Sequence, residues 1–157
     1  MGDGGERRAP GHARRELLTV LYADTSALMR AYVAAEPGHQ ELERLLLRGD
    51  DDVMTSALSR VELGSAMTRA RHERRLRRWR NVLERFDADC LEEGPITLLV
   101  LEADAPLRRA YELAIDHRLR ALDAIHLAVA LEEQVGAFVT RDARQAEAAA
   151  ALGLAVR

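Results

Sequence analysis

The feature that most constrains this chain is an alternation of short apolar runs with helices, in which the runs are too brief to be anything but strands. Residues 17–23 (LLTVLYA) are rich in strand formers and are closed by Asp24-Thr25-Ser26, residues that favour the cap of a following helix. Val53-Met54-Thr55, Ile96–Leu99, residues 137–140 and Ala155–Val156 read as further strands. Between them, helical spacing covers residues 27–34, His39–Leu47, 56–71, 74–88, 102–118, 123–134 and 143–152. Pro37-Gly38, and Gly49 before Asp50-Asp51-Asp52, punctuate the first half. Apolar strands this short, each followed by a helix, predict a parallel sheet covered on both faces: an α/β fold, built as an α/β/α sandwich.

A chain of 157 residues that is 48% hydrophobic can bury one core, so one site is expected rather than two. Residues 1–19 begin with a polar, Arg/Gly-rich stretch and are expected to be a disordered extension, with residues 20–157 forming a single domain. Cys90 is the only cysteine, which excludes an internal disulfide framework and a multi-cysteine zinc site and makes a cytoplasmic location the expectation. The longest apolar run, residues 124–131, is interrupted by His126 and falls far short of the roughly 20 residues that span a bilayer. The basic start lacks the apolar stretch and cleavage site of a secretion signal. All 23 basic residues are arginines, so chemistries that require a lysine, such as a P-loop or a Schiff base, are excluded. A net charge of -3 leaves a nucleic-acid partner open, and only local clustering bears on it.

Two acids lie just beyond strands, Asp24 and Asp142, and groups at the carboxyl ends of parallel strands line the crevice where ligands bind. Each could equally be a helix cap. Glu62 shares a helical row with Leu58 and Ala66 and lies beside Val61, an apolar stripe that would turn its carboxylate inward, where it needs a cation, donors or an arginine such as Arg60 or Arg69. Asp123 opens a helix that is apolar nearly all round, as its cap or as a site residue. His126, three residues on, reads as a hydrogen-bonded histidine rather than a metal ligand. Four carboxylates at one crevice repel unless a cation neutralises them. An all-oxygen donor set suits Mg²⁺ or Mn²⁺, which can activate water and stabilise displacement at phosphorus. Residues 71–80 (RHERRLRRWR) hold six arginines and Trp79. Arg74, Arg75, Arg77, Arg78 and Trp79 are therefore candidates for RNA phosphates and base stacking, the alternative being a solvated helix face with Trp79 packed inward.

Four segments, YADTSALMRAYVAAEPG, TSALSRVELGSAM, LRALDAIHLAVAL and FVTRDARQAEAAAALGLAV, resemble in order and spacing the PIN-domain family, specifically its VapC-type toxins, over residues 20–156. The resemblance implies that Asp24, Glu62, Asp123 and Asp142 form an acidic quartet that holds Mg²⁺ or Mn²⁺ and cuts RNA. It implies that Ser26 and Thr140 orient carboxylates or waters, where capping and turn formation are the alternative. It also implies a homodimer and a cognate VapB-type antitoxin of a type II toxin–antitoxin module. The first strand of such proteins lies close to the initiator methionine, so residues 1–19 depart from the pattern. An upstream mis-assigned start, with Val20 as alternative initiator, is expected, and intact mass of the native protein checks it. The other reading within the family is a non-cutting module that binds RNA or protein. A phosphatase with Asp24 as nucleophile lacks a second acid two residues on, a dinucleotide-binding domain lacks its Gly-rich loop after the first strand, and a receiver domain lacks its lysine.

Overall fold

The computed structural model describes residues 18–73, 76–101 and 104–157. The expected N-terminal extension therefore lies, but for Leu18 and Thr19, outside the described residues, as do Arg74 and Arg75. The element order is β1 (Val20–Ala23), α1 (Thr25–Tyr32), α2 (His39–Leu47), β2 (Asp52–Ser56), α3 (Leu58–His72), α4 (Trp79–Asp89), β3 (Ile96–Leu99), α5 (Asp104–Asp116), α6 (Ala121–Glu132), β4 (Ala137–Val139), α7 (Ala143–Ala151) and β5 (Ala155–Val156). The strands pair in parallel in the order β3-β2-β1-β4-β5, with Leu21 opposite Val53 on one side and Ala137 on the other.

Strand periodicity divides the core in two. Leu21 and Ala23 point into a cluster with Val53, Ile96, Val139 and the buried faces of α1 to α4. Tyr22, between them, points into the opposite cluster with Phe138 and α5 to α7. Helices thus cover both faces of a fully parallel sheet, the sandwich expected from the sequence. Tyr22 and Phe138 stack with ring centroids 5.6 Å apart. Gly153, at φ 84, ends α7 in the left-handed conformation that glycine adopts without penalty, and Leu154 N–H returns to Ala149 O.

Three local expectations are corrected. First, α6 begins two residues earlier than the apolar run suggests: Arg120 occupies the cap position, and Asp123 lies in the first turn of the helix instead of capping it. A carboxylate there suits the positive end of the helix dipole and keeps its side chain available to the crevice. Second, the buried line of α3 is Ser59, Leu63, Met67 and Ala70, while Val61 is 69% exposed. Glu62 therefore stands at the border of the buried face, not in its centre. Third, α4 starts at Trp79, so Arg77 and Arg78 occupy the turn before the helix. Closely spaced like charges make such a segment a poor first turn.

Candidate active site

The chain leaves β1 toward one side of the sheet and β4 toward the other, because β2 and β3 lie on one flank and β5 on the other. Such a reversal of strand order opens a crevice at the carboxyl ends of the two central strands. Asp24 follows β1 and Asp142 follows β4, at the two lips of that crevice, while α3 and α6 bring Glu62 and Asp123 to it.

Asp24 is 1% exposed. It caps α1 through Ala27 N–H at 2.9 Å and accepts hydrogen bonds from Ser26 Oγ at 2.8 Å and Thr140 Oγ1 at 2.7 Å. Capping and site roles, alternatives in the sequence, are thus compatible in one residue. Burial raises its carboxyl above the ordinary range, against the lowering effect of these donors. Ser26 and Thr140 also tie Asp24 to the β4 lip, since Ser26 Oγ accepts from Arg141 N–H and Thr140 Oγ1 from Asp142 N–H.

Glu62 meets neither Arg60 nor Arg69. Arg60 pairs with Asp87 at 2.7 Å, and Arg69 donates to Ser65. Instead Glu62 Oε2 accepts from the Thr25 hydroxyl and lies 2.6 Å from His126 Nε2. His126 is buried, and its Nδ1 lies 2.8 Å from the Tyr22 hydroxyl, which accepts from Ser56 N–H at 3.2 Å. That bond leaves the Tyr22 proton free to point at Nδ1, so a neutral imidazole would carry its proton on Nε2, facing the carboxylate. Burial alone would raise Glu62, but the bonds from His126 and Thr25 outweigh it and hold the carboxyl below its ordinary range.

Asp123 is half-buried and accepts from Gln145 Nε2 at 3.1 Å; the same nitrogen donates to Asp24 Oδ2 at 2.9 Å. Its carboxyl is raised by burial and by the negative fields of Asp142, Glu62 and Asp24, with Arg120 opposing. All four acids therefore share one electrostatic site. Asp142 caps α7 through Arg144 and Gln145 N–H.

The donor set fits a hard divalent cation. It is all oxygen and strongly anionic, and Cys90, its thiol pushed up to about 11 by burial, packs against the cluster formed with α1 to α4. Glu62, Asp123 and Asp142 each keep one carboxylate oxygen without a hydrogen-bond partner among the described residues. Gln145 Oε1 is a buried acceptor that is likewise unpaired among them. Among the described residues no three acidic, histidine or cysteine side chains are already drawn together tightly enough to hold an ion. The internal donors occupy the inner oxygens, so a cation would draw on the remaining ones.

Sequence reasoning placed the four acids, Ser26 and Thr140 but passed over Gln145 and the Thr25 hydroxyl. Gln145 carries a legible signal: it is the one polar side chain in line with Ala148 and Ala149 on the buried face of α7. Of the arginine-rich segment, Trp79 is half-buried with the guanidinium carbons of Arg80 and Arg71 at 4.6 and 5.5 Å from its ring centre. With Arg71, Leu76 and Arg77 it lines a surface cavity of about 450 Å³.

Known proteins share the family and fold of this chain. The family model described as "PIN domain" matches residues 21–151. The chain is 35% identical over 130 residues to ribonuclease VapC47 of Mycobacterium tuberculosis, covering 80% of this chain and 86% of that protein. Its fold is similar to the crystal structure of M. tuberculosis VapC20, a toxin that cleaves the sarcin-ricin loop, with TM-score 0.63 at 20% identity over 85% of this chain and 95% of the other. It is also similar to a chain of a toxin–antitoxin complex from Klebsiella pneumoniae, with TM-score 0.52 at 19% identity over 78% and 86% of the two chains. On the match of residues 21–151 to the family model and the similarity to ribonuclease VapC47, this chain belongs to the PIN-domain family, among proteins of the VapC kind.

Proposed function

We propose that the protein is a Mg²⁺- or Mn²⁺-dependent endoribonuclease and the toxin component of a type II toxin–antitoxin module. The observation that carries this reading is the buried Asp24 at the strand reversal, in one electrostatic site with Glu62, Asp123 and Asp142. Those four residues would hold the ion, whose chemistry when bound is activation of water and stabilisation of charge at phosphorus. Asp24 is held by Ser26, Thr140 and Ala27 N–H, so its oxygens are fixed before any ligand arrives. His126 and Thr25 keep Glu62 ionised. Arg71, Arg77 and Trp79, with Arg78 beside them, offer guanidinium groups and an indole to RNA phosphates and bases, and Arg74 and Arg75 belong to the same run.

The similarity to a toxin–antitoxin complex supports a VapB-type antitoxin as partner. A homodimer belongs to the same reading. Leu107, Tyr111 and Ile115 are exposed and form one stripe along α5. In an antiparallel pairing about Tyr111, Leu107 of one copy would meet Ile115 of the other. A cytoplasmic location accords with the single cysteine. Among the described residues no helix is long and apolar enough to cross a membrane.

The test is incubation of antitoxin-free protein with total bacterial RNA in Mn²⁺, in Mg²⁺ and in chelator, with new ends mapped beside Asp24→Asn. Discrete metal-dependent cuts are expected, slowed at least about a hundredfold by the substitution. Absence of cutting by folded, metal-loaded protein across varied RNAs would contradict the nuclease reading and favour a binding module.

A further inference from the structure

Gln145 does something that neither packing nor capping requires. It is 3% exposed, on a helix whose remaining buried residues are alanines. An apolar side chain of similar length would fill the space without bringing an amide into the core. Both amide protons are accounted for, one on Asp24 Oδ2 at 2.9 Å and one on Asp123 Oδ1 at 3.1 Å. The oxygen of the same planar group, Oε1, is buried and has no partner among the described residues. Buried acceptors are nearly always paired, so an unpaired one beside two carboxylates points to a ligand that completes it.

We propose that Gln145 is a fifth, neutral member of the cation site: its amide nitrogen ties Asp24 to Asp123, and its oxygen serves the bound ion directly or through a water. The inference rests on the metal-dependent reading above. A hard divalent cation accepts amide oxygens alongside carboxylates, and the amide adds no further negative charge to four acids already in mutual repulsion. A purely structural tie between α6, α7 and the end of β1 would hold the helices together but would have no use for the oxygen.

The test is calorimetric titration of the full-length, metal-free protein with Mn²⁺, comparing wild type with Gln145→Leu and Gln145→Met. In parallel, the side-chain amide resonances of Gln145 in the wild type are followed as Mg²⁺ is added. The expected result is a Kd for Mn²⁺ raised about tenfold to a hundredfold in both variants, with the Gln145 amide resonances displaced on Mg²⁺ saturation. Unchanged affinity in folded variants overturns the inference and leaves the amide a structural tie. Tighter binding overturns it too, because the amide would then compete with the ion. If neither variant folds, wild-type Gln145 resonances that stay fixed through Mg²⁺ saturation overturn it. A wild type that binds neither ion overturns the metal-dependent reading itself, which distinguishes that failure from the failure of Gln145 alone.

Discussion

Asp24 joins a helix cap to the proposed cation site in one residue. Its burial raises the carboxyl, as burial and neighbouring acids raise that of Asp123, whereas the bonds from His126 and Thr25 lower that of Glu62 despite burial. The signs separate in pH. A raised acid contributes stability that is fully present below its ordinary value and is lost as pH rises through the raised one. The contribution of Glu62 is present above its ordinary value and is lost only as pH falls through the lowered one. Just above the ordinary carboxylate range, therefore, the two aspartates act and Glu62 does not. In chelator the Tm is expected to fall with rising pH across that window more steeply in wild type than in Asp24→Asn, and Mn²⁺ is expected to remove the difference. Equal slopes in calorimetric scans would contradict the assignment.

At the scale of elements, the strands, the helices and the order of the acids were legible because each rests on local signals: a short apolar run, a cap, a periodic stripe. Asp142 is the clearest case, since it is both the N-cap of α7 and a source of negative field at Asp123. The two roles can be separated. Asp142→Ala is expected to lose about 1 kcal/mol in denaturant unfolding, while Asp142→Asn keeps the cap and stays within a few tenths. Both should weaken Mn²⁺ binding; equal affinity in Asp142→Asn would reduce the residue to a cap. What the sequence did not reveal depends on distance along the chain. The true start of α6 at Ala121 is set by Arg120 in extended backbone, not by the first acid in view. The partner of Glu62 is His126 rather than a nearby arginine, 64 residues away and on another helix. Gln145 reaches Asp24 across 121 residues. No window along the sequence contains such pairs; the sheet order creates them.

At the scale of the whole molecule, five short strands and their covering helices place charge on one edge and exposed apolar surface elsewhere. Tyr111, 70% exposed at the middle of the α5 stripe, is the centre of the proposed two-fold contact. Tyr111→Glu is expected to shift sedimentation from dimer to monomer without loss of fold, because the residue lies outside both core clusters. A wild type that sediments as a monomer would remove the dimer from the account. The central claim is that the four acids at the strand reversal make one cation site. Anomalous diffraction from crystals soaked in Mn²⁺ tests it most directly. The account predicts a peak within reach of Asp24, Glu62, Asp123 and Asp142, directly or through water. Ordered Mn²⁺ found only elsewhere on the protein would contradict it.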